Sequence, residues 1–132
     1  MRFLSIYKTA ETGVPPTPEY MATMQRLVEE GRNAGWLLAT EGCLPSALGA
    51  RVRSSGGSLF VTDGPFVETK EIIAGFALLE ASSKEEAIRL TRDFLKAAGD
   101  GECELRQIFT PSDGSGDCSK VQQELAEQFA RQ

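Results

Sequence analysis

A chain of 132 residues suits one domain around one core. Its net charge of −5 and pI near 4.8 argue against nucleic acid or anionic lipid as a partner, because both call for a basic surface. Histidine is absent, which removes His-based triads, Cys–His dyads and most transition-metal sites and leaves acid–base work to carboxylates, Tyr, Lys or Cys.

Arg2 to Lys8 alternates as a first strand, with Phe3, Ser5 and Tyr7 on one face and Leu4 and Ile6 on the other. Thr9 to Pro18 is a loop rich in Thr, Gly and Pro. Thr17 can cap a helix, and Pro18 suits its first position, where a missing N–H costs nothing. Tyr20, Met24, Leu27, Val28 and Gly31 recur at helical spacing, so the first helix is predicted over 18–33 with a stop near Gly35. Trp36 to Cys43 reads as a second strand, and Leu44 to Gly49 connects it onward. Ala50 to Ser54 and Ser58 to Thr62 form a predicted hairpin about Gly56-Gly57.

A charged loop follows, Asp63 to Glu71. Ile72 to Ala81 is apolar on both faces and is expected to be central and covered. Ser83 and Glu86 have the spacing of a capping box, Ser83 bonding forward and Glu86 reaching back. The helix they start should reach Ala98 and bury Ala87, Leu90, Thr91 and Phe94. Glu102 to Phe109 alternates as the last strand, with Cys103, Leu105, Gln107 and Phe109 opposite Glu104, Arg106 and Ile108. One domain is therefore predicted over 1–110, then a Pro-, Ser-, Asp- and Gly-rich linker over 111–119. A short amphipathic helix is predicted over 120–132, with Val121, Leu125 and Phe129 on one stripe.

Cys43, Cys103 and Cys118 are widely spaced and make no C-x-x-C pair, so neither a disulfide framework nor a zinc site is expected. Cys43 and Cys103 read as small buried strand residues, and Cys118 as part of the linker. No apolar run approaches the ~20 residues that span a bilayer, and the N-terminus is too short for a signal-peptide core. A cytoplasmic protein with no membrane partner is the expectation, and no cofactor motif is present.

Strand, helix, strands, helix, strand is the order of an α+β, ferredoxin-like split βαβ fold with an antiparallel sheet. Two helices cover one face of such a sheet. The other face cannot stay wet if Ile72 to Leu79 is apolar on both sides, so a homodimer with a β-barrel between subunits is expected.

Asp63-Gly64-Pro65-Phe66, followed by Glu68, Lys70-Glu71 and Gly75, resembles the DGPF signature of the YCII-related proteins. Ala34-Gly35-Trp36-Leu37-Leu38, Leu44-Pro45 and Glu104-Leu105-Arg106 extend the likeness over residues 1–110. The resemblance implies a dimeric α+β barrel, in a superfamily with muconolactone isomerase-like enzymes, small monooxygenases and stress-response barrels. Some YCII proteins resemble enzymes with an Asp–His pair in the cavity; with no His, that pair does not carry over to this chain. The DGPF branch is similar to a family without an assigned reaction. Its members often accompany extracytoplasmic-function sigma factors, which implies a regulatory setting.

Asp63 ends a predicted strand beside apolar Phe66, where a raised pKa would suit a general acid or base. The competing role is structural, because Asp-Gly turns use the Asp side chain to bond their own backbone. Glu68, Lys70 and Glu71 form a charge ladder, either orienting a polar ligand or lying on a solvated edge. Arg53 and Arg106 are the arginines expected to hold an anion, with Arg51 as exposed strand charge. Tyr7 and Lys8, at the end of the first strand, are weaker candidates.

Three functions fit these residues. The first is a homodimer that binds a small polar or anionic molecule near the DGPF loop. The second is a cofactor-independent isomerase or lyase on a small organic acid, with Asp63 moving a proton and Arg53 or Arg106 holding the acid. The third is an interaction module that docks its C-terminal helix.

Overall fold

Alternation along Arg2–Thr9 sets the sheet. A computed structural model of the chain describes residues 1–109 and 118–131. Its elements are β1 (Arg2–Thr9), α1 (Pro18–Ala34), β2 (Leu37–Gly42), a 3-10 turn (Ser46–Leu48), β3 (Ala50–Ser55), β4 (Ser58–Asp63), β5 (Ile72–Glu80), α2 (Lys84–Ala98), β6 (Glu102–Gln107) and α3 (Cys118–Ala130). Four strands form an antiparallel sheet in the order β2-β5-β1-β6. Without the hairpin, that is the strand order of the ferredoxin-like split βαβ fold expected from the sequence.

Local signals place the helices. Thr17 Oγ1 accepts the Tyr20 N–H at 3.1 Å, and Pro18 opens α1. Gly35, with φ of 85°, closes it. Ser83 Oγ accepts the Glu86 N–H at 3.1 Å, which is the forward half of the capping box. The return half differs: Glu86 takes the Ser82 hydroxyl at 2.7 Å instead of the Ser83 backbone. A serine hydroxyl one residue earlier offers the carboxylate a charge-assisted bond, so the box is open on one side.

The core lies between the helices and one sheet face. Phe3 of β1 pairs in register with Leu79 of β5, and Leu79 pairs with Leu37 of β2. All three are buried, together with Ala81 and with Ala87 from α2. Full burial of each large side chain is worth about 1.5–3 kcal/mol. Val28 of α1 and Leu105 of β6 pack against this cluster. Gly31 brings α1 close, because a Cβ there would meet the Trp36 ring at 2.8 Å.

β5 is central as expected, but among the described residues it is covered on one face only. Leu4, Ile6 and Leu78 on the other face are half-buried, and Phe76 is 39% exposed. α1 and α2 lie on the opposite side, where Val28 and Ala87 pack, and among the described residues the buried cluster does not extend to this face.

The hairpin forms as expected but stands apart from the main sheet. β3 and β4 pair only with each other, and every residue of both strands is exposed. Gly56 and Gly57 supply the positive φ angles of its two-residue turn.

Two cysteine expectations need correcting. Cys43 is exposed just past the end of β2 at Gly42, although its N–H still donates to Ala74 O of β5 at 2.8 Å. Cys103 is half-buried on β6, and burial pushes its thiol pKa up. The linker expected over 111–119 lies outside the described residues as far as 117, and α3 begins at Cys118. The side chain of Val121 lies outside them too. Leu125 and Phe129 are exposed. Among the described residues, no helix is long and apolar enough to cross a membrane.

Candidate functional site

The Asp63–Glu71 loop is tied down at Ser46. Gly64 N–H donates to Gly49 O at 2.9 Å. A Cβ on Gly64 would overlap the Ser46 carbonyl oxygen and sit 2.6 Å from its carbon. Glycine is therefore required by close backbone approach, not by its φ. Phe66 N–H donates to Ser46 Oγ at 3.2 Å, and the buried Ser46 hydroxyl donates in turn to Glu11 Oε2 at 2.6 Å. The other Glu11 oxygen accepts the Ser46 N–H at 2.5 Å. One carboxylate from the β1–α1 loop thus fixes the 3-10 turn, and the turn fixes the Phe66 backbone. These bonds, the side-chain one foremost, hold the Glu11 carboxyl below its usual range.

Arg51 holds the far side of the loop. Its Nη1 donates to Glu68 Oε1 at 2.7 Å and its Nη2 to Thr69 Oγ1 at 3.2 Å. Its guanidinium carbon lies 3.9 Å from the Phe66 ring centroid. The Glu68 carboxyl is held low, first by its own backbone N–H and then by Arg51.

Together these pieces wall a cleft of about 750 Å³, within the usual size range of small-molecule sites. It lies between the end of β1 at Lys8, the start of β5 at Ile72 and Ile73, and the 43–50 connection. Phe66, Thr69 and Glu71 line it from the loop, and Arg51 from the base of the hairpin. A smaller hollow of about 360 Å³ lies at the other end of β1, where the Met1 amino group pairs with Glu80 at 3.0 Å.

The sequence candidates fall in different places. Phe66 and Glu71 line the cleft, and Glu68 braces it through Arg51. Asp63 is exposed at the end of β4, outside the cleft lining. Among the described residues, its carboxylate accepts no side-chain hydrogen bond. Arg53 sits two residues further out on the hairpin, opposite Phe60, and is exposed. Lys70 is exposed on the loop, outside the cleft lining. Arg106 lies on β6 opposite Leu4, on the open sheet face, 3.5 Å from Glu104. Tyr7 packs inward, edge-on to Phe94 with centroids 5.3 Å apart, and donates to Asp100 O at 2.9 Å.

Sequence reasoning did not single out Glu11 or Ser46 and undervalued Arg51. Register could have found Arg51. Counting back from Gly56-Gly57 sets it opposite Thr62, next to the loop. Glu11 and Ser46 are 35 residues apart, and no local pattern links them. Among the described residues, no cluster of three or more His, Cys, Asp or Glu side chains could hold a metal.

The sequence profile of the YCII-related domain family matches residues 1–110. The chain belongs to the YCII-related domain family. An uncharacterized protein of Rhizobium meliloti (strain 1021) is similar to it, 35% identical over 88 residues that cover 66% of this chain and 68% of that one. In this YCII-related protein the cleft, the Ser46 anchor and the Arg51 brace all lie inside the matched residues.

Proposed function

We propose that this YCII-related, DGPF-type protein is a homodimer that binds a small polar or anionic molecule in the cleft beside the Asp63–Glu71 loop. One observation carries the reading: the cleft is braced from three chain segments and is lined by two cations, Lys8 and Arg51, against one carboxylate, Glu71, in a chain of net charge −5. Positive charge inside an acidic protein favours an anionic occupant. The dimer is supported by the uncovered apolar face around Leu4, Ile6, Phe76 and Leu78. A sigma-factor-linked regulatory setting is implied by the DGPF resemblance, and a binding protein without turnover suits it. The isomerase or lyase reading has less support, since Asp63 lies outside the cleft lining.

The test is retention of small molecules from a metabolite extract, read by mass spectrometry. Ala50→Trp would fill the cleft from an exposed position on its wall. A compound kept by the wild type and lost by Ala50→Trp supports the reading. Equal retention by both proteins refutes it. Consumption of a compound by wild type but not by Asp63→Asn would favour the enzyme instead.

A further inference from the structure

The cleft is mostly apolar. Leu44 and Leu48, each 75% exposed, Ile73, 51% exposed, and the half-buried Phe66 ring make a trough open to water. Covering such a trough is favourable by about 25 cal/mol per Å² of apolar surface. The two cations are not equivalent. Arg51 is committed to Glu68, Thr69 and the Phe66 ring, so it builds the wall. Lys8 donates to Glu104 at 3.2 Å, and an ammonium has three donors, so it keeps capacity for a ligand. Glu71 lines the same cleft, which disfavours a second negative charge on the occupant.

We propose that the cleft takes an amphipathic monocarboxylate, its hydrocarbon body against Leu44, Leu48, Ile73 and Phe66 and its carboxylate on Lys8. The proposal rests on the reading of the cleft as a ligand site and narrows it. A wholly polar anion would leave the trough wet, and a neutral apolar molecule would leave the spare donors of Lys8 unused.

The full-length protein, labelled with nitrogen-15, is titrated with octanoate, octanamide, acetate, malonate and phosphate. Amide shifts are followed by NMR. Octanoate is expected to move the amides of Lys8, Leu48, Phe66 and Ile73. Octanamide, of nearly the same shape but neutral, should bind about tenfold more weakly, the worth of one charge-assisted bond. Acetate should bind more weakly still. Lys8→Gln should erase the preference for octanoate over octanamide. Leu48→Ala, at an exposed position that folding tolerates, should weaken both several-fold.

Equal binding of octanoate and octanamide to the wild type would overturn the proposal. So would octanoate shifts spread over Leu4, Phe76 and Leu78, which mean adsorption to the open sheet face. If malonate or phosphate moves the cleft amides and octanoate does not, the ligand class is wrong and the site survives. If no probe moves them, the reading of the cleft falls as well.

Discussion

Gly64→Ala should be among the most damaging conservative changes in this protein. Gly64 has no left-handed φ, so backbone strain is not the reason. The reason is contact. The added methyl would overlap Ser46 O and lie 3.3 Å from the Ala47 Cα. Both are backbone of the 3-10 turn, which cannot swing aside as a flexible side chain would. The loop must lift, and the Gly64–Gly49 and Phe66–Ser46 hydrogen bonds go with it. Overpacking costs about 1–3 kcal/mol and each of the two lost bonds about 1 kcal/mol, so a loss of about 3–5 kcal/mol is expected.

Urea and thermal unfolding measure this directly. At this chain length the loss corresponds to a fall in Tm of about 10–20 °C, with the urea m-value unchanged. Gly42→Ala is the control. A Cβ at Gly42 meets nothing within 4 Å and its φ is ordinary, so that variant should match the wild type or exceed it slightly. If Gly64→Ala melts within about 2 °C of the wild type, the close approach does not exist in solution and the argument for the anchored loop collapses.

Three further outcomes are expected. Glu11 has a folded pKa lowered by Ser46, so its stabilising contribution is complete above the ordinary glutamate value of 4.5 and is lost as pH falls through the lower folded value. Glu11→Gln should therefore flatten the acid side of a urea-midpoint profile, leaving the slope due to Glu68, Glu86 and Glu104; an unaltered profile would mean that the clamp is not made. Arg51→Lys keeps the charge but not the flat fork, so global stability should fall by no more than about 1 kcal/mol. The Thr69 amide, bonded to Phe66 O at 3.1 Å, should nonetheless exchange with solvent faster, and unchanged exchange would remove Arg51 as the brace. Phe76→Glu places a charge on the open sheet face and should halve the mass measured by light scattering at micromolar concentration; a wild type already monomeric there would refute the dimer.

The main fold was legible because its signals are local. Thr17-Pro18, Gly35 and Ser83 each fix a helix end through neighbours within a few residues, and the alternation in Arg2–Lys8 fixes which side chains face the helices. The separate standing of the hairpin was not legible. Pairing within β3–β4 follows from its own turn, but nothing in Ala50–Asp63 says whether a further strand will join it. Likewise, β5 showed that two faces were apolar, and among the described residues only one is covered.

The site divides along the same line. Phe66 and Glu71 were found because the loop that carries them is unusual by itself. Arg51 and Arg53 lie on one face of one strand, and local chemistry cannot rank them. Rank depends on distance from the ribbon's base: Arg51 stands opposite Thr62 and reaches Glu68, Thr69 and Phe66, whereas Arg53 stands opposite Phe60 and points to solvent. Glu11 required more, since its partner lies beyond α1 and β2, and only the closing of β1 against β5 brings the two loops together. The same dependence explains why Glu11 and Ser46 should respond as a unit. Removing either end frees the same 3-10 turn, so the double variant Glu11→Gln, Ser46→Ala should lose about as much stability as the worse single variant. Fully additive losses would show that the two residues act separately and that Phe66 is held by something else.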